Sequence, residues 1–318
     1  MNICIVGNGN IVKRFLEDVQ NITDVHIRSL CVREASRSKG EALAEQYHID
    51  RVETDYSGVL SDPSVDAVYI GIANHMHYTY AKQALEAGKH VICEKPFTVN
   101  LQQAQELASL AMEKNLFLWE ASKLPYSRTY EILRKNLTAI GTPRIVTCNY
   151  SRKSSRYDEY QKGSIHAAFD PEKAGGSLYD INVYNLHLTT LLFGAPKDIH
   201  YYANSGPNGI DISGTAVLEY DGFHAVCTGA KDSTSPSGAI LQGEHGYLRI
   251  QGPVSSASAV WLSQDGREYC LMEMKDSGRL TDEIRVFAEQ YRTGDRAACY
   301  QALEHSLLVM KLLEQCRG

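Results

Sequence analysis

The sequence predicts an α/β protein in two parts: a doubly wound parallel sheet, then an α+β domain on a mostly antiparallel sheet. Two patterns and the length of the chain lead there. Through the first 121 positions, short apolar runs alternate with helical patterns of about 10–15 residues, as in a parallel sheet with crossover helices. From Lys197 to Cys270 the pattern becomes short alternating segments divided by turns such as Asp221-Gly222 and Gly252-Pro253, as in an antiparallel sheet. With 318 residues the chain can bury two cores, and the change of rhythm divides it into 1–121 and 122–318.

The first strand, Asn2 to Val6, stops at Gly7-Asn8-Gly9-Asn10-Ile11-Val12, and a helical pattern carrying Phe15, Leu16 and Val19 follows. Strand, glycine turn and helix together form the setting of a dinucleotide-binding turn. Gly7 permits the tight turn, and Gly9 lets backbone N–H groups approach a pyrophosphate at the helix N-terminus. Val12 stands where the third small residue usually sits, a packing position and not a phosphate contact. A second strand, Val25 to Val32, ends in Arg33-Glu34. Glu34 lies 25 residues beyond Gly9, near the ~20 expected of an acid that holds the adenosine ribose hydroxyls. That favours NAD, while Arg33, Arg37 and Lys39 would suit the 2′-phosphate of NADP; the competing reading of Glu34 is a solvated charge.

Asp66 to Ile72 is apolar at nearly every position, as a strand covered on both faces must be. It runs into Ala73-Asn74-His75-Met76-His77, and a helix with Ala81, Ala84 and Leu85 follows. The next strand, His90 to Cys93, is cut off at Glu94-Lys95-Pro96, because proline cannot continue the ladder. Ligands of open parallel sheets bind outside the carboxyl ends of the strands. His77 and Lys95 therefore fall on one rim, and a lysine fixed there beside a carboxylate is a candidate for chemistry on a bound ligand. The plainer alternative is a surface ion pair in a loop. Helix Leu101 to Lys114 and strand Leu116 to Trp119, ended by Glu120-Ala121, complete the first domain.

In the second half, helix Tyr126 to Asn136 leads to strand Arg144 to Tyr150 and a polar, aromatic stretch that includes Tyr157. Gly175-Gly176 then opens a helix read from Ser177 to Gly194. At 100° per residue Asp180, Tyr184 and His187 share one face within about 60°. The helix is otherwise apolar, so these three need partners or a purpose, the alternative being a polar stripe along a solvent channel. Helices Thr281 to Arg292 and Arg296 to Glu314 close the chain.

An apolar fraction of 43% and a charged fraction of 22% are those of a globular protein, and no run approaches the ~18 apolar residues of a membrane span. The N-terminus enters a strand with no basic segment, so no secretory signal is expected. Eight scattered cysteines without a Cys-x-x-Cys pair point to reduced thiols in the cytoplasm and to no metal site. A net charge of −6 speaks against nucleic acid as a partner and leaves a small molecule.

Gly7-x-Gly9, Asn74-x-x-His77, Glu94-Lys95-Pro96 and Gly175-Gly176-x-x-x-Asp180-x-x-x-Tyr184 occur in this order along the chain. Together they resemble the glucose-fructose oxidoreductase / inositol dehydrogenase family of nicotinamide-dependent enzymes, over essentially the whole chain. The resemblance implies a Rossmann domain, an open-faced sheet domain and an active site between them. It implies cofactor contacts at Gly7, Asn8, Gly9, Asn10, Ile11, Glu34, Ile72, Asn74, His77, Glu94, Lys95 and Ala121. It implies catalysis by Lys95, Tyr184 and Asp180, and substrate contacts from Lys95, Tyr157, Asp180, Tyr184 and His187. Tyr184 stands where inositol dehydrogenases have histidine, which resembles the dihydrodiol dehydrogenase branch with its tyrosine proton donor, as does Glu120-Ala121. His187 stands where many relatives have aspartate or asparagine, so substrate contacts do not transfer in detail.

The function implied is hydride transfer between NAD, or NADP, and an alcohol or carbonyl of a sugar, polyol or related molecule. Tyr184 is then the general acid, and the alternative gives that role to His187. A rival from another class is a dinucleotide-binding regulator that has lost turnover. A homodimer or homotetramer through the C-terminal sheet is expected, because the segment Gly214 to Tyr220 puts apolar groups on both faces.

Overall fold

The computed structural model describes residues 1–274 and 279–317. The chain divides into two units, residues 1–122 with 279–307 and residues 123–278 with 308–318.

In the first unit, strands β1 (Asn2–Val6), β2 (His26–Cys31), β3 (Arg51–Glu53), β4 (Ala67–Ile70), β5 (His90–Glu94) and β6 (Leu118–Ala121) form one sheet. Helices α1 (Asn10–Val19), α2 (Arg37–Tyr47), α3 (Tyr56–Ser61), α4 (His77–Glu86) and α5 (Leu101–Glu113) connect them. The order is β3-β2-β1-β4-β5-β6, with every pairing parallel. This is the doubly wound order whose direction reverses between β1 and β4, where such sheets open a crevice for a dinucleotide. Ile3, Ile5, Val68, Ile70 and Val91 are fully buried, as covering both faces requires. β3 and α3 carry no pattern in the sequence: the strand has three residues, and its one apolar residue, Val52, sits between Arg51 and Glu53.

The second unit begins with α6 (Arg128–Asn136), β7 (Pro143–Ser151), α7 (Tyr157–Gln161) and α8 (Val183–Phe193). It continues with β8 (Asp198–Ser205), β9 (Asp211–Tyr220), β10 (Phe223–Ala230), β11 (Gly238–Gly243), β12 (Gly246–Gln251), β13 (Ala259–Gln264) and β14 (Arg267–Glu273). These strands form an eight-stranded sheet, β14-β13-β12-β11-β7-β10-β9-β8, antiparallel except where β7 meets β10. α8 covers one face, with the Thr189 hydroxyl 3.4 Å from Cys227 Sγ of β10 and 4.0 Å from Cys148 Sγ of β7. Val146, Cys148, Ala216, Leu218, Ala225 and Cys227 are buried on that face. Between them Val217 and Val226 stay partly open and Ile145 is 47% exposed.

α9 (Thr281–Thr293) and the first half of α10 (Arg296–Gln315) belong to the first unit, although the sequence reading places everything after 121 in the second domain. The reason is Trp119, which β6 presents to them. Trp119 stacks between Phe117 and Phe287, with ring centroids 4.8 and 5.2 Å apart, and its indole N–H donates to Gln290 Oε1 at 2.7 Å. Leu280 N donates to the buried Asp18 carboxylate at 2.7 Å and ties α9 back to α1. Among the described residues, no helix is long and apolar enough to cross a membrane.

Candidate active site

The glycine turn lies at the switch point. Gly7 has a φ of 115°, and a Cβ there would lie 2.3 Å from Gly71 O, so this position admits glycine only. Gly9 is exposed and begins α1 without a side-chain cap, and nothing stands within 4 Å of where its Cβ would be. The first turn of α1, with Asn10 and Ile11, holds no acidic residue. Its leading N–H groups meet no capping side chain, which suits an anionic group. Asn8 Nδ2 is buried without a hydrogen-bond partner, and a donor so placed fits a ligand oxygen. The third small residue is recovered from an unexpected quarter: a Cβ on Gly71 would come within 2.8 Å of Val12 Cγ2, so the room that Val12 needs is left by the facing strand. The residues present fit a dinucleotide.

At the end of β2, Glu34 is not a lone carboxylate. It accepts from Arg37 Nε at 3.0 Å and Nη2 at 3.1 Å, and Nη2 also donates to Thr54 Oγ1 at 3.1 Å. These bonds hold the Glu34 carboxyl below the usual carboxylate range.

On the rim, His77 is fully buried, not presented to a ligand as the resemblance implies. Its Nδ1 stands 2.9 Å from Pro96 O and its Nε2 3.2 Å from Ile72 O, so it joins the ends of β4 and β5. Burial pushes its pKa down, leaving a neutral ring with one proton, and the shorter contact to Pro96 has the stronger claim on it. Glu94, also expected at the cofactor, is the last residue of β5, is buried, and accepts from Tyr69 Oη at 2.7 Å. Lys95, Ile72 and Asn74 are half-buried, and the Lys95-Pro96 bond is cis. Glu120 lies inside β6, one residue before its end; it accepts from Phe97 N at 3.2 Å and from Ser306 Oγ at 2.6 Å. The turn after Lys95 is thus tied to β6 and α10. Ala121 is buried.

In the second unit the site helix begins irregularly. A Cβ on Gly175 would lie 2.6 Å from Ala167 O, and one on Gly176, at φ 100°, would lie 2.0 Å from Asp211 Oδ1. Gly175 thus lets the backbone of 167–170 approach, and Gly176 lets Asp211 come close. Its carboxylate accepts from Leu178 N at 2.6 Å and from Tyr201 Oη at 2.8 Å; burial pushes its pKa up and the Leu178 N–H counters it. Leu178–Asn182 then forms a π-turn before α8. Asn182 Nδ2 donates to Cys227 O at 2.9 Å, and Asn185 Nδ2 donates to Thr228 O at 3.0 Å, which anchors the wide turn on β10.

The π-turn changes which residues open. From Ala174 to Thr190 every residue is buried except Asp180, Ile181 and Tyr184. His187, expected to share their face and touch substrate, is fully enclosed; the wider turn re-aims Asp180 relative to α8, while His187 keeps its place about 60° round the regular helix from Tyr184. Lys231, unremarkable in the sequence, pairs with Asp180 Oδ2 at 2.8 Å. Lys123 Nζ stands 6.0 Å from the Tyr184 ring centroid, and the Tyr150 ring is 6.2 Å from it. Tyr157, expected at the substrate, is half-buried and packs against a cluster of Tyr160, Phe169 and Ile210. Its ring centroid is 6.0 Å from Phe169.

A doubly wound sheet with an uncapped glycine turn at its switch point defines a dinucleotide-binding protein. Sequence comparison makes it particular. Residues 1–122 match the model of the oxidoreductase family with an NAD-binding Rossmann fold, and residues 134–249 match the GFO/IDH/MocA C-terminal domain. The chain belongs to the GFO/IDH/MocA family and is an NAD(P)-dependent oxidoreductase. It is 33% identical to scyllo-inositol 2-dehydrogenase (NADP(+)) IolU of Bacillus subtilis, over 100% of this chain and 96% of that one. It is 27% identical to trans-1,2-dihydrobenzene-1,2-diol dehydrogenase of Homo sapiens, over 98% and 95% of the two chains. The same fold is seen in KijD10, a 3-ketoreductase from Actinomadura kijaniata solved with NADP and TDP-benzene (TM-score 0.87, 22% identity, 100% and 97% coverage). It is seen again in biliverdin reductase from Synechocystis sp. PCC 6803 (TM-score 0.83, 21% identity, 100% and 99% coverage).

Proposed function

We propose that the chain catalyses reversible hydride transfer between a nicotinamide and a ring CH–OH that has a second hydroxyl beside it. Relatives named for scyllo-inositol and for trans-1,2-dihydrobenzene-1,2-diol support this substrate class, since both names describe ring carbons with neighbouring hydroxyls. The observation that carries the assignment of residues is the opening of Asp180 and Tyr184, one turn apart, in a run where Ile181 is the one other residue not buried.

The nicotinamide, when bound, supplies hydride exchange at its C4. Tyr184 moves the proton. In oxidation its phenolate oxygen takes the proton of the substrate hydroxyl while the C–H hydrogen leaves with its electron pair and C–O becomes C=O. Reduction runs the same path backwards. A free phenol has a pKa of about 10, and a cation within about 4–6 Å favours the phenolate. Lys95 is that cation in this reading, and its N–H groups stabilise negative charge on the reacting oxygen. Asp180 accepts from the neighbouring hydroxyl and so selects a diol. One observation favours a second assignment for the tuning cation: Lys123, at 6.0 Å from the Tyr184 ring.

The test is nicotinamide absorbance with a panel of inositols, sugars and ring diols, followed by Tyr184→Phe. General acid–base groups contribute about 10²–10⁴-fold, so kcat should fall by that order while cofactor affinity holds. A silent panel would favour the regulator reading, and a Tyr184→Phe variant with wild-type kcat would remove Tyr184 from the proton path.

A further inference from the structure

Lys231 follows the last residue of β10, and its side chain is only 3% exposed. Lysine is seldom enclosed so completely, and here the ammonium has a defined setting. It donates to Ala168 O at 2.7 Å, pairs with Asp180 Oδ2 at 2.8 Å and lies 4.6 Å above the Phe169 ring. Its backbone is fixed as well: Lys231 N donates to Ile212 O, and Lys231 O accepts from Ser154 N, both at 2.8 Å. Asp180, by contrast, is 38% exposed. One end of the ion pair is locked in the protein and the other faces out.

We infer that Lys231 is a positioning residue, which holds the Asp180 carboxylate ionised and aimed at the substrate's second hydroxyl. This rests on the reading of Asp180 as a substrate group. An enclosed cation that cannot swing away imposes one orientation on the carboxylate it binds. It also opposes protonation of that carboxylate, so Asp180 stays an acceptor further into acid than a carboxylate on a solvent-facing helix would. Other charged or titratable groups of the second unit near this helix include Tyr184 on the next turn, with Lys123 over its ring, Asp211 beneath Leu178 N, and Arg317, 3.9 Å over the ring of Tyr179. Asp170 is taken by Lys173 at 2.7 Å. Lys231 is a cation paired directly with Asp180, at 2.8 Å.

The experiment titrates Asp180 by carbon-13 NMR in the full-length protein, the signal assigned by its loss in Asp180→Asn, beside the pH profile of kcat/KM for scyllo-inositol with NADP+. In Lys231→Met the Asp180 midpoint should rise by one pH unit or more, about tenfold in proton affinity, with the acid limb of kcat/KM rising with it. Lys231→Arg should restore both, and this variant carries the test should Lys231→Met fail to fold: its midpoint should stay at the wild-type value. In the Asp180→Asn background, Lys231→Met should add little to the loss of kcat/KM. An Asp180 midpoint unmoved by Lys231→Met, or a Lys231→Arg midpoint displaced upward, overturns the inference. A midpoint that rises while the kcat/KM profile stays put supports the ion pair's hold on Asp180 and instead sinks the role of Asp180 in the reaction.

Discussion

At the scale of single residues, two side chains change meaning between sequence and structure. Glu34 stands at the right distance from Gly9 to suggest NAD, but its carboxylate is bound twice by Arg37. The repulsion it would exert on a 2′-phosphate is offset by that guanidinium. NADP(H) should bind at least as tightly as NAD(H), and Arg37→Ala should weaken NADP(H) selectively; dissociation constants for both cofactors check this. His187 is legible as a polar residue on an apolar helix, yet it is enclosed. His187→Asn should therefore lower the melting temperature and leave KM unchanged. A raised KM with an unchanged melting point would return His187 to the substrate. Lys231 gives no signal at all, because a lysine after a strand reads as a solvated turn until the fold buries it.

At the scale of elements, the strand–turn–helix motifs are legible because each is punctuated by glycine or proline, and apolar strand runs need no long-range information. The start of α8 is not. A π-turn depends on what anchors it, here Asn182 and Asn185 on the carbonyls of β10, and β10 lies some forty residues away along the chain. The double glycine is visible, but its reasons are not: Gly175 faces the backbone of 167–170, and Gly176 faces Asp211, which comes from β9. Gly176→Ala forces both an unfavourable φ and a collision with the Asp211 carboxylate. It should cost about 2 kcal/mol or more in urea unfolding, and more than Gly9→Ala, which meets no clash. Gly9→Ala should instead weaken cofactor binding, which fluorescence titration with NADPH would read.

At the scale of the whole molecule, the eight-stranded sheet carries an exposed Ile145 and a groove of about 540 Å³ lined by Val226, Ile240, Thr147 and Arg249. A sheet face of this kind suits a second copy of the chain, and we propose a homodimer or homotetramer through it. Light scattering should give at least twice the 35.4 kDa of one chain, and Val226→Asp should lower it. A wild-type monomer at micromolar concentration would dismiss the proposal. The division between the two units was legible only up to residue 122, since nothing in the pattern of α9 says that Phe287 and Gln290 answer to Trp119.

That return of the chain has a consequence for synthesis on the ribosome. Residues 1–122 leave the exit tunnel with all six parallel strands, but Phe287 and Gln290, which cover Trp119, and Ser306, which binds Glu120, lie in the stretch that ends at residue 307. At about 5–20 residues per second, the intervening 185 residues occupy roughly 10–40 s. Through that interval the nascent sheet exposes an aromatic stack on its β6 side while the second unit is still being made. Ribosome-bound chains stalled at residue 250 should be cut by protease within the first 122 residues, and chains stalled well past 318 on a C-terminal extension should resist. The Rossmann half is thus begun first and finished last, and a chaperone that recognises apolar surface has its longest opportunity there.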